Sequence, residues 1–101
     1  MNYEIHRTDV FDRWLKKVRD RQAVKTILSR IDRAIMGNFG DSEPVGEGVS
    51  EMRIFVGKGY RVYYTVKGGK IILLLCGGTK SSKSLQQADI AQAKKLASEQ
   101  E

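Results

Sequence analysis

The chain has 101 residues, 41% apolar and 30% charged, with a net charge of +6, a size that holds one core packed from two layers and no second independent unit. These proportions exclude a disordered tail and a membrane protein, and the longest apolar run, Ile71 to Cys76, is far too short to span a bilayer. The positive charge is local: residues 52–84 hold seven Lys or Arg and no acid, whereas 38–51 hold four acids and no base, and a local basic block marks contact with nucleic acid, an anionic surface or an acidic protein.

In chain order, Tyr3 and Ile5 alternate with polar residues as a short strand that stops at Thr8-Asp9, a helix-cap signal. Val10, Phe11, Trp14, Leu15 and Val18 then share one face of a first helix, and Ala23, Val24, Ile27, Leu28, Ile31, Ala34 and Ile35 one face of a second. The second helix ends at Gly37-Asn38-Phe39-Gly40, so residues 8–37 read as a helical hairpin. Its outer face mixes bases, Arg30 among them, with acids, the pattern of a solvated surface. Pro44 to Gly48 is a loop or an edge segment.

Three antiparallel strands follow, Met52–Val56, Tyr60–Lys67 and Lys70–Cys76, joined by Gly57-Lys58-Gly59 as a three-residue turn and Gly68-Gly69 as a two-residue turn. The first turn places Ile54 opposite Val62 and Met52 opposite Tyr64 on a core face, with Phe55 opposite Arg61 and Arg53 opposite Tyr63 on the other. Arg53 and Arg61 become diagonal neighbours roughly 7–8 Å apart, close enough to bridge one phosphate. The second turn pairs Val66 with Ile71, Tyr64 with Leu73 and Val62 with Leu75 in the core, and Arg61 with Cys76 outside it. Ser84 and Gln87 form a capping box for a last helix carrying Leu85, Ala88, Ile90, Ala93, Leu96 and Ala97. The hairpin is expected to cover the core face and to leave the second face partly open.

That open face, with Arg53, Arg61, Lys58 at the adjacent turn and Lys80 and Lys83 beyond the last strand, is the candidate anion site. The rival reading is a salt bridge from Glu51 to Arg53. One His and one Cys cannot assemble a metal cluster or a disulfide, so neither metal nor cofactor is expected. His6 is read as structural or exposed, Cys76 as a buried thiol and Trp14 as core. No apolar signal core follows Met1; a reducing cytoplasm and no membrane contact are expected.

Gly59-Tyr60-Arg61-Val62-Tyr63-Tyr64 and the run from Ile71 to Lys80, in this element order, resemble the RelE/ParE toxin superfamily. Gly37-Asn38-Phe39-Gly40-Asp41, the segment Gly46 to Arg53, and Leu75-Cys76-Gly77-Gly78-Thr79-Lys80 are similar to its HigB-like, addiction module killer branch. The resemblance implies one toxin domain over residues 1–101, of α+β class, with a two-layer RelE-like fold of N-terminal strand, helical hairpin, antiparallel three-stranded meander and C-terminal helix. It implies the toxin of a type II toxin–antitoxin pair, partnered by an antitoxin of helix-turn-helix type through which alone it would meet operator DNA.

The activity implied is a metal-independent endoribonuclease that cleaves mRNA on the ribosome and halts translation. Arg61 matches the family's charge-stabilising strand arginine, while the basic residue after the last strand is Lys80 or Lys83, and the family's C-terminal tyrosine is missing. Lys58, Lys80, Arg53 and Arg61 are expected to crowd together so that a lysine of lowered pKa serves as base. Arg61, Lys80 and Lys58 are thus the catalytic candidates. Arg53, Tyr63 and Lys83 are those for RNA binding, with Tyr63 a proton donor or stacking platform. Gyrase poisoning and a weak toxin homologue acting as an antitoxin-binding module are the alternatives.

Overall fold

A computed structural model describes residues 2–99; the first residue and the last two, which the single-domain reading includes, lie outside them. The elements are β1 (Glu4–Arg7), α1 (Asp9–Lys17), α2 (Arg21–Ile35), β2 (Ser42–Gly46), β3 (Val49–Ile54), β4 (Tyr60–Lys67), β5 (Ile71–Thr79) and α3 (Lys83–Glu99). The strands form one sheet in the order β1-β5-β4-β3-β2, with β1 parallel to β5 and every other pair antiparallel. This is the expected α+β architecture, and the meander gains a fourth strand. Pro44, which has no N–H to give a ladder, lies in β2 at the sheet edge.

Thr8 begins the hairpin. Its Oγ1 accepts the Phe11 N–H at 3.0 Å, capping α1, and donates to the Leu75 carbonyl at 2.5 Å. Asp20 Oδ1 caps α2 by accepting from Gln22 and Ala23. Gly37 follows α2 with φ of 95°, a left-handed stop. Phe11, Ala23, Ile27, Ile31 and Ala34 pack on Met52, Ile54, Tyr60, Val62, Tyr64, Ile72 and Leu74.

The expected strand registers need correction. Ile54 pairs with Tyr60, Met52 with Val62 and Arg53 with Arg61, so the loop is Phe55–Gly59, two residues longer than expected. The shift is even, and the faces of β3 and β4 are as expected. The β4–β5 loop has three residues rather than two, Lys67 pairing with Ile71, and that one-residue slip turns Leu73 and Leu75 away from the hairpin. A bulge then pairs Tyr63 with Cys76 and Tyr64 with Leu74, leaving Leu75 unpaired in the ladder, its carbonyl satisfied by Thr8.

The second face is not open either. Ile90, Ala93, Leu96 and Ala97 of α3 pack with Val49, Tyr63, Leu73, Leu75 and Cys76 into a second apolar cluster. The cap of α3 is Ser82, whose Oγ accepts the Leu85 N–H at 3.3 Å, rather than the expected Ser84; Leu85 itself is exposed. Arg30 is no solvated base: it is buried, and its guanidinium donates to the carbonyls of Arg53 (2.7 Å) and Phe39 (3.1 Å), pinning the loop before β2 onto β3. Among the described residues no helix is long and apolar enough to cross a membrane.

Candidate functional site

Because β3 and β4 pair at Arg53 and Arg61, two guanidinium groups leave the sheet side by side on the α3 face. Their surroundings differ. Arg53 is held by Asp41 Oδ1 at 2.9 and 3.2 Å and by Glu43 Oε2 at 2.8 Å, with Glu51 Oε2 at 3.7 Å. Those bonds, Asp41 first, raise its pKa further. Arg61 has a single carboxylate within ion-pairing reach, Glu51 Oε1 at 3.5 Å from Nε, and its Nε and Nη1 make no hydrogen bond among the described residues. Its side chain is 14% exposed. Opposite it stands Gly78, where an added Cβ would lie 2.3 Å from Asp89 Oδ2, so the absence of a side chain there lets α3 bring Asp89 down beside the strand. Burial raises the Asp89 pKa against the opposing pull of Arg61.

Around Arg61 the chain forms a shallow hollow of about 60 Å3, whose walls include Arg53, Phe55, Gly59, Arg61 and Lys80. Lys80 is set there by its N–H, which donates to the Gly59 carbonyl at 3.0 Å, and its stem packs where a Gly59 side chain would sit. Phe55 is 74% exposed at the rim. The other seven aromatic residues are buried or half-buried, which sets Phe55 apart.

The profile of the family described as phage derived protein Gp49-like matches residues 13–98. The chain belongs to this Gp49-like family. An uncharacterized protein of Haemophilus influenzae is 46% identical over 99 residues, covering 98% of this chain and 97% of the relative. Among solved structures, a double arginine-to-alanine mutant of Escherichia coli toxin RelE in the free state aligns with a TM-score of 0.70 at 12% identity, over 91% of this chain and 98% of that one. The RelBE2 toxin–antitoxin complex of Mycobacterium tuberculosis aligns with a TM-score of 0.62 at 15% identity, over 79% and 100%. At such identities the likeness shows the fold.

In this Gp49-like chain, then, Arg53, Arg61 and Lys80 come together, and the expected crowding of four cations does not occur. Lys58 lies at the wall of a separate groove beyond Tyr60, and Arg53 is neutralised by carboxylates, so the crowding expected to lower a lysine's pKa is not there. Tyr63 is fully buried, its hydroxyl without a hydrogen-bond partner among the described residues and its pKa raised by burial and then by Glu51; it presents no ring to a base. Lys83 is exposed at the start of α3, away from the hollow's walls.

Of the rival salt bridge, the Glu51 contact exists, but Asp41 and Glu43 hold Arg53 more closely. Phe55, Asp89 and Gln86, whose Nε2 lies 3.5 Å from Glu51 Oε1, were not expected at the site. Only Phe55 left a signal, as an aromatic facing Arg61 in the expected register. His6 is exposed beside Glu4, Trp14 is half-buried against Gly77, and Cys76 is buried with its thiol pushed up to about 12. Among the described residues no three His, Cys, Asp or Glu gather to hold a metal.

Proposed function

We propose that the protein is a RelE-type toxin of a toxin–antitoxin pair, of the HigB-like branch, and that it cuts mRNA at the Arg61 hollow. The observation that carries this reading is the placing of Arg61 and Lys80 beside Phe55: an anion-seeking guanidinium whose buried Nε and Nη1 make no hydrogen bond among the described residues, a second cation, and an exposed aromatic ring. This is the minimum for gripping one nucleotide, with cations for the phosphate and a ring for the base.

In the reaction the RNA 2′-oxygen bonds to the adjacent phosphorus and the bond from phosphorus to the 5′-oxygen breaks. The proton leaves the 2′-hydroxyl, and another reaches the departing 5′-oxygen. Negative charge grows on the non-bridging oxygens, and Arg61, paired with Glu51 at 3.5 Å, is the cation that the hollow sets against that charge. Lys80 at the rim draws the phosphate in. Likeness to the two toxin structures supports the assignment of class, and an antitoxin partner follows from it.

Inducing the chain without a partner should arrest growth and fragment transcripts, and Arg61→Ala should relieve both. Full toxicity in Arg61→Ala removes the hollow as the active site, and DNA-damage signalling with intact transcripts transfers the chain to gyrase poisoning. A second reading, an antitoxin-binding module of weak catalysis, is favoured by the three carboxylates around Arg53 and by the burial of Tyr63. Harmless expression would select it.

A further inference from the structure

We propose that the groove at the α1–α2 elbow is a second phosphate-binding subsite, which carries the RNA chain onward from the Arg61 hollow; the inference rests on the RNA reading above. The groove has a volume of about 530 Å3, and its walls include Trp14, Lys17, Arg19, Lys58 and Tyr60. Lys17, Arg19 and Lys58 are all exposed. The acid that lines it, Asp20, spends Oδ1 on capping α2. Three cations against one engaged carboxylate leave the groove positive.

Its position connects it to the hollow. Tyr60 lines both cavities, Lys58 and Gly59 are successive residues of the same loop facing the groove and the hollow, and Thr79 and Lys80 divide in the same way. A strand seated at Arg61 and Lys80 on the α3 face therefore passes round the end of the sheet, along the exposed Lys80 and Lys58 beside the buried Gly59 and Tyr60, and enters a basic groove on the hairpin face with Trp14 in its wall. Glycines at 57 and 59, with φ of 55° and 87°, supply the left-handed backbone that the loop between the two cavities takes. Lys58 thus serves RNA binding beyond the cut. An acidic peptide satisfies the charge equally; continuity with the Arg61 hollow favours a nucleic-acid strand.

The test measures fluorescence anisotropy of a labelled RNA trinucleotide and a decanucleotide against salt, using the full chain and the Lys17→Ala/Arg19→Ala/Lys58→Ala triple variant. Loss of three phosphate contacts should lower the slope of log affinity against log salt for the decanucleotide by about 2, at roughly 0.7 per contact for single strands. Trinucleotide binding should stay unchanged. The chain's one tryptophan lines the groove, so its emission should respond to the longer RNA and not to the shorter.

An unchanged slope in the triple variant, with Arg61→Ala weakening both RNAs, overturns the subsite and leaves the RNA reading standing. Absence of RNA binding by the unmodified chain overturns the RNA reading itself. Parental RNA binding in the triple variant combined with lost affinity for an oligoglutamate peptide assigns the groove to an acidic protein and also overturns the subsite. Equal thermal unfolding of variant and parent, expected for exposed side chains, keeps the comparison valid.

Discussion

Arg53 on β3 and Arg61 on β4 stand directly opposite each other and share one buried carboxylate, Glu51, whose Oε2 lies 3.7 Å from Arg53 Nη1 and whose Oε1 lies 3.5 Å from Arg61 Nε. Like charges facing across a ladder repel, so the pairing depends on the anion between them. Glu51→Gln keeps the shape and deletes the charge; it should cost about 1–3 kcal/mol, read as a lower urea midpoint. Adding Arg61→Met should recover part of the loss, a coupling that a double-mutant cycle isolates. An unchanged midpoint in Glu51→Gln would mean the carboxylate does not hold the pair.

The helical hairpin, β1, and the faces of β3 and β4 were legible because each buries one side, so that periodicity names most of the buried residues; Leu28, read on the apolar face of α2, is exposed. β5 was not. It is apolar on both faces, with the hairpin under Ile72 and Leu74 and α3 over Leu73 and Leu75; an uninterrupted apolar run gives alternation nothing to choose between. The bulge at Leu75 then depends on Thr8, far away in sequence. The cationic residues and the partner Glu51 could be named, but not Asp41 and Glu43, which hold Arg53 more closely and come from β2 and the loop before it, a strand pairing that Pro44 obscured. Arg30 departs from the solvated-face pattern for a related reason: its acceptors are carbonyls of remote backbone, which no side-chain pattern reveals.

Gly77 faces the ring of Trp14 so closely that an added Cβ would stand 2.3 Å from Trp14 Cε3 and 2.4 Å from Cδ2. The ring is pinned by Phe11 and Tyr60, with centroids 5.8 and 6.4 Å away, so it cannot swing aside freely. Gly77→Ala is expected to destabilise the fold by roughly 1–3 kcal/mol, the cost of overpacking, with a shift in tryptophan emission. A variant that melts like the parent would show that α1 yields instead.

Asp89 gives a pH dependence of unusual sign. Burial raises its folded pKa above the ordinary carboxyl value of about 3.9. Between those two values the folded chain keeps a proton that the unfolded chain has released, so stability is full below the window and declines as pH rises through it. Asp89→Asn should abolish that decline and exceed the parent in urea midpoint at neutral pH, the parent-minus-variant difference isolating this one group. Should the asparagine variant be the weaker at neutral pH, the attraction of Arg61 for the ionised carboxylate outweighs its burial.

Phe55 offers the sharpest separation of function from stability. With 74% of its surface exposed it contributes little to the core, and Phe55→Ala should alter unfolding by no more than about 0.5 kcal/mol. Beside Arg61 and Lys80, however, it is the ring on which a base next to the bound phosphate would stack, an interaction worth about 1–3 kcal/mol per base. Single-stranded RNA should therefore bind Phe55→Ala more weakly by about 1–3 kcal/mol, with the salt slope unaltered, because a neutral ring releases no counterion. Phe55→Trp should retain affinity, whereas Arg61→Ala should reduce the slope as well. Parental affinity in Phe55→Ala would leave the ring without a role in gripping RNA and would direct attention to protein contact at that rim.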